Sequence, residues 1–196
     1  PGGVIAATER SFGSDSARVE ATAIPFARGL EAEGVVATAK HFPGFGAARE
    51  NTDFAVERIP LSKRTLRRVD EAPYASFIAA GGRMVMISTA IYPAFSAAPA
   101  ALARPIATGE LRRRLGFDGV SVTDALESAA VRSFGGPAKA GLAAARAGTD
   151  LLLFTQAAPA ERARRALAAA LRAGRLDRAA FEESAQRVLD LRAELR

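Results

Sequence analysis

Leu115-Gly116-Phe117-Asp118-Gly119-Val120-Ser121-Val122-Thr123-Asp124 reads as a short strand entered through glycines and left through a carboxylate. Val120 to Thr123 joins two valines to the small, uncharged Ser121 and Thr123 and reads as a strand buried on both faces. Three other stretches share its form. Val35 to Ala39 is bounded by Gly34 and the Pro43-Gly44 turn, Met84 to Ser88 is entered from Gly81-Gly82, and Leu151 to Phe154 is entered from Gly148.

Helical periodicity fills the intervals. Asp15 can cap a helix whose inner face would be Val19, Ala23, Phe26 and Leu30, with Pro25 expected to bend or shorten it. Ser62 can cap the next, carrying Leu66, Val69, Phe77 and Ile78, and Pro73 should break it in two. Further helices are expected near Ile106 to Leu115 and Ala138 to Ala147, and from Pro159, a residue suited to a first helical turn. Asp177 can cap the last, from Phe181 to Leu195, with Phe181, Ala185 and Val188 facing inward.

Strands alternating with helices define an α/β chain of parallel βα units. Four strands are too few for a closed eight-stranded barrel, which takes roughly 200 to 250 residues. The chain is therefore a small open sheet or about half of a barrel. No glycine-rich phosphate loop follows any strand, which argues against a nucleotide-binding doubly wound fold. No second domain, repeat or low-complexity linker is visible in residues 1–196.

Composition narrows the function classes. With 49% hydrophobic and 24% charged residues, the 196-residue chain has the balance of an ordinary globular domain. It has no cysteine, hence neither disulfide framework nor thiolate metal site, and a single histidine, which excludes multi-histidine zinc chemistry. No apolar run reaches the roughly 20 residues of a membrane span. The net charge of +6 comes from arginines on alanine-rich helices such as Glu161 to Arg172, with no nucleic-acid motif beside it. The chain opens on Pro1 rather than Met, so a leader sequence cannot be read in either direction, and cytoplasmic and exported locations both stay open.

In parallel α/β folds ligand chemistry gathers at the C-terminal ends of strands. Here those ends carry Lys40-His41, Ser88-Thr89, Thr123-Asp124 and Thr155-Gln156. Asp124 fits either a nucleophile or base at a strand tip, or an N-cap for a helix starting at Ala125. Lys40 and His41 suit the oxygens of a polar ligand, or else a solvated lysine beside a core histidine. Residues 46–59, with Glu50, Asn51, Thr52, Asp53 and Glu57, form a long loop at a strand end, either functional or simply solvated.

Four motifs in order carry a resemblance. Lys40-His41-Phe42-Pro43-Gly44 followed by Gly46, Arg10-Ser11-Phe12-Gly13, Leu115 to Asp124, and Ala147-Gly148-Thr149-Asp150-Leu151-Leu152 resemble the signatures of glycoside hydrolase family 3, most closely its single-domain β-N-acetylhexosaminidase branch. The resemblance implies a TIM (β/α)8 barrel of which residues 1–196 are about the second half, the N-terminal strands missing and no second domain following. It implies Asp124 as the nucleophile of a covalent glycosyl-aspartate intermediate. It implies Arg10, Lys40 and His41 as contacts to the sugar before the cleaved bond. No cofactor and no metal are expected, because a retaining glycosidase works with a carboxylate nucleophile and a separate proton donor.

Two positions depart from the branch. Its loop usually carries Asp-Ser-His, with the histidine as acid/base; here Asn51-Thr52-Asp53 stands instead, so Asp53 becomes the acid/base or its positioner. A donor role there asks for burial or a neighbouring carboxylate, and Glu50 and Glu57 are the other donors in reach. Thr89 stands where the family often has a histidine. The expected substrate is a glycan with terminal β-linked N-acetylglucosamine, such as a cell-wall fragment. The whole protein is expected to be monomeric, with no nucleic acid or membrane partner, and this segment alone inactive. β-Glucosidase or β-xylosidase activity, a degenerate sugar-binding member, and an unrelated α/β binding domain are the alternatives; the last is favoured if Lys40, His41 and Asp124 do not meet in one pocket.

Overall fold

The computed structural model describes residues 2–195; Pro1 and Arg196 lie outside them. Three parallel strands, β1 (Thr38–Phe42), β2 (Met84–Ile87) and β3 (Val120–Thr123), form a sheet in the order β1-β2-β3. β2 and β3 run in continuous register from Met84 opposite Val120 to Ile87 opposite Thr123. Every residue of β3 is buried, so both faces are covered as its sequence reads. The fourth expected strand is a single parallel bridge, Leu151 to Val122, because the next backbone donor, Leu153 N–H, turns to the Thr123 hydroxyl at 2.9 Å instead of a strand carbonyl.

The first strand differs from its sequence reading. It begins three residues later, at Thr38, and includes Lys40 and His41, while Val35 is half exposed. Pairing decides this rather than β-branching: Thr38 lies opposite Met84 and Ala39 opposite Val85, then a bulge carries the register to Phe42 opposite Ile87. Lys40 and His41 occupy the bulge.

The helices follow their caps. In α2 (Ser16–Ala32) the Asp15 carboxylate accepts from Arg18 N–H at 2.9 Å. Pro25 does not interrupt α2, since both Pro25 and the carbonyl it orphans at Ala21 lie on exposed residues where water can serve. Phe26 is not on the inner face; it is 58% exposed and its ring lies 5.6 Å from that of Phe12. After the Ser62 cap the chain forms a turn, α3 (Lys63–Thr65), then a π-helix, Leu66–Asp70, and restarts at Pro73 as α4 (Ala72–Ala79). Val69 is exposed, because the wider π turn rotates it away from the sheet. A second π-helix, Pro105–Arg114, leads to β3, and a short 3₁₀ turn, Ala100–Leu102, precedes it.

Beyond β3 lie α5 (Ala129–Arg132), α6 (Pro137–Ala147), α7 (Ala157–Arg172) and α8 (Arg178–Glu194). The Asp177 carboxylate caps α8 through Ala180 N–H at 3.1 Å. Phe181 and Val188 are half-buried but Ala185 is exposed, so α8 presents a narrower apolar stripe than its sequence suggests.

α8 is fixed instead by polar contacts to Asp150, whose side chain is fully buried. Its Oδ2 accepts from Ser121 N–H at 2.7 Å, from the Ser121 hydroxyl at 2.8 Å and from Arg112. Its Oδ1 accepts from the Ser184 hydroxyl at 2.6 Å and from Arg187 Nη2 at 2.8 Å. One carboxylate thereby joins the start of β3, the second π-helix and α8. A buried carboxylate is tolerable only with donors of this quality around it.

Candidate active site

Beyond the C-terminal ends of β1 and β3 lies a cleft of about 180 Å³ lined by Val4, Arg10, Lys40, His41, Phe45, Asn51, Thr52, Asp53 and Asp124. The five residues that the sequence singles out from separate stretches thus face one space. The reading as an unrelated binding domain is favoured if Lys40, His41 and Asp124 stay apart, and they share this cleft.

Asp124 projects from the tip of β3. Its backbone N–H donates to Ile87 O at 2.9 Å, continuing the sheet one residue past the strand, and its Oδ1 accepts from Ala125 N–H at 2.8 Å. The helix-cap reading does not hold: residues after Asp124 turn, and α5 starts only at Ala129, behind Ser128. With Oδ1 held, Oδ2 lies 3.8 Å from His41 Nε2. The Asp124 side chain retains 19% exposure, reachable but largely shielded.

His41 is buried beside it, its ring 5.2 Å from that of Phe45. Burial lowers its pKa below the ordinary 6.5, and Lys40 and Arg10 push the same way, while Asp124 and Asp53 oppose them. The net result favours the neutral imidazole, able both to donate and to accept a hydrogen bond. The Lys40–His41 and Phe42–Pro43 peptide bonds are cis. The turn that follows rests on buried aromatics: the Tyr92 hydroxyl donates to Gly44 O at 2.9 Å and the Phe42 ring meets Tyr74 edge-on at 5.1 Å. Gly44 has φ +145°, and a Cβ there would fall 2.3 Å from Asp70 Cβ, so only glycine fits. Burial raises the Asp70 carboxyl to about 6.

The loop 46–59 is tied down at several points. Thr52 is buried and its carbonyl accepts from Ala129 N–H at 3.0 Å. The Asn51 side chain accepts from Asp53 N–H at 3.0 Å, closing a turn that sets Asp53 at the cleft mouth. Glu57 is buried with its carboxylate on Arg49 N–H at 2.8 Å, and Glu50 is exposed; neither lines the cleft. Asp53 is exposed and shares the cleft with Asp124.

Sequence reasoning missed Val4, Phe45, Asn51 and Thr52 as lining residues. Phe45 adjoins a motif and Asn51-Thr52 adjoin Asp53, so proximity was a usable signal; Val4 had none. Val4 arrives through α1 (Val4–Ala7), whose first N–H donates to Ala48 O at 2.7 Å and so docks the segment bearing Arg10 on the loop. Thr89 is fully buried and does not line the cleft. Thr155 and Gln156, expected at a ligand-facing strand end, instead give their backbone N–H groups to the Glu127 carboxylate at 3.1 and 3.3 Å.

A polar, carboxylate-bearing cleft at the C-terminal ends of parallel strands is where α/β barrel enzymes carry their active sites. The chain matches the glycosyl hydrolase family 3 N-terminal domain over residues 5–191, and it belongs to that family. It is 41% identical over 191 residues to an uncharacterized secreted glycosyl hydrolase of Arthroderma benhamiae, covering 95% of this chain and 54% of that protein. A beta-hexosaminidase of Xylella fastidiosa is 39% identical over 146 residues, covering 74% of this chain and 43% of the relative. The solved β-N-acetylglucosaminidase of a Paenibacillus species superposes with a TM-score of 0.91 at 34% identity, covering 95% of this chain and 36% of that one. The chain thus spans about half or less of the relatives it matches, and the sheet described above is one part of a TIM-type barrel.

Proposed function

We propose that the protein carrying this chain is a retaining glycoside hydrolase that releases terminal β-linked N-acetylglucosamine, with Asp124 as nucleophile and Asp53 as acid/base. The observation that carries this is the convergence of Asp124 and Asp53 with Arg10, Lys40 and His41 in one cleft. Asp124 Oδ2 attacks the anomeric carbon while Asp53 delivers a proton to the glycosidic oxygen, and the leaving group departs. Water, giving its proton to Asp53, then displaces Asp124 and restores both carboxyl groups. Arg10, Lys40 and neutral His41 hydrogen-bond the sugar hydroxyls. The beta-hexosaminidase and β-N-acetylglucosaminidase names of the relatives support the N-acetyl sugar over glucose.

The test compares aryl β-N-acetylglucosaminide with aryl β-glucoside as substrates of the full protein. The N-acetyl substrate should be strongly preferred, and Asp124→Ala should lower kcat by about 10⁴-fold or more. Asp53→Asn should spare substrates with good leaving groups and lose those that need protonation. The absence of a histidine from Asn51-Thr52-Asp53 favours a second reading, a sugar-binding member without catalysis. Binding of N-acetylglucosamine with cleavage of neither substrate would decide for it.

A further inference from the structure

Phe54 is 83% exposed, the highest value among the exposed large apolar residues, and it follows directly on Asp53. Exposure of an aromatic on a slack loop would mean little. This loop is not slack: Phe54 N–H donates to Asn51 O at 3.0 Å, Ala55 N–H donates to the same carbonyl at 3.1 Å, and Thr52 is buried under the tip with its carbonyl on α5. Leaving a phenyl ring in water forgoes the free energy of its burial, and here a braced turn presents it.

We infer that Phe54 is the platform for the sugar ring on the leaving-group side of the cleft, making the substrate a glycan of at least two rings. This rests on the reading of Asp53 as acid/base. A proton donor must reach the glycosidic oxygen, and the leaving ring hangs on that same oxygen. The residue after the donor is one Cα step of about 3.8 Å away, outside the residues that line the cleft, and so within reach of that ring where it leaves the cleft. A β-linked pyranose offers a face of C–H bonds with partial positive charge, the complement of the electron-rich face of a phenyl ring. Val56, half exposed two residues on, extends the apolar surface.

The test uses the full protein with two substrates, the β-1,4-linked N-acetylglucosamine disaccharide and β-N-acetylglucosaminyl fluoride, whose leaving group has no ring. Phe54→Ala should lower kcat/KM for the disaccharide about tenfold and leave the fluoride within about twofold, and Phe54→Trp should restore the disaccharide. Equal loss on both substrates, or loss on neither, overturns the platform. If the unaltered protein cleaves neither, the proposed activity fails by itself, and calorimetry then decides about Phe54. Phe54→Ala should cut the ratio of disaccharide to monosaccharide affinity about tenfold. An unchanged ratio, or no binding of either sugar, overturns the inference.

Discussion

His41 sits between opposing influences: burial and two cations lower its affinity for a proton, and two carboxylates raise it. Because its native value lies below the ordinary 6.5, the unfolded chain binds a proton in the interval that the native state refuses. Its contribution to stability is therefore complete above about 6.5 and lost as pH falls through the native value. Imidazole NMR, assigned with a His41→Gln variant, should show titration below 6.5, and Asp124→Ala should move it lower still, since Asp124 is the main raising influence. Titration above 6.5 would contradict the site's electrostatics. Asp124 and the Lys40-His41 pair were legible in sequence because polar residues at strand tips are conspicuous against apolar runs. Asp53 was legible only through the family resemblance, since by residue type alone Glu50, Asp53 and Glu57 differ only in tertiary placement.

At the level of elements, the segment after Asp124 is held by Glu127, whose carboxylate takes the N–H groups of Thr155 and Gln156 at the start of α7. A carboxylate at a helix N-terminus is doubly favoured, by hydrogen bonding and by the helix dipole. Glu127→Ala should cost about 1 kcal/mol in thermal unfolding and lower kcat several-fold, to about a tenth, with KM little changed, because the turn behind the nucleophile loses its brace. Unaltered melting and kcat would show that Glu127 positions nothing. Caps were the most readable feature of the elements: Asp15, Ser62 and Asp177 all accept the hydrogen bonds their positions suggest. Strand limits were less readable. Val35 and Val36 look like strand residues, yet the paired segment is Thr38–Phe42, since a neighbouring strand's register, invisible locally, fixes the ends. The π-helices were unreadable for a similar reason, as their extra residue per turn answers to packing rather than composition.

At the scale of the molecule, the α/β class and the parallel order were legible from the alternation of apolar runs and helical periods. What the alternation could not give is how the sheet's margins are finished. Phe12, Phe26 and Val35 stay exposed in and around α2, before β1, and Leu153, Leu189 and Leu195 stay exposed at the other margin. We propose that the remaining part of the barrel covers them. Residues 1–196 expressed alone are expected to aggregate, each uncovered Phe or Leu representing about 1.5–3 kcal/mol of unrealised burial. A soluble monomer with one cooperative thermal transition, seen by gel filtration and calorimetry, would show that the segment closes on itself.

The Asp150 hub has a consequence for how such a protein can change. It anchors the start of β3, while Asp124 stands at the other end, about 10 Å along the strand. Cohesion and chemistry are thus vested in opposite ends of one four-residue strand. The loops at the chemical end can be exchanged, lengthened or shortened without disturbing what holds the last helix in place. Within residues 46–59 the buried Ala48, Thr52, Glu57 and Ile59 hold the loop, so new substrate preferences are tried at the lowest risk to folding at its exposed positions Glu50, Phe54 and Val56.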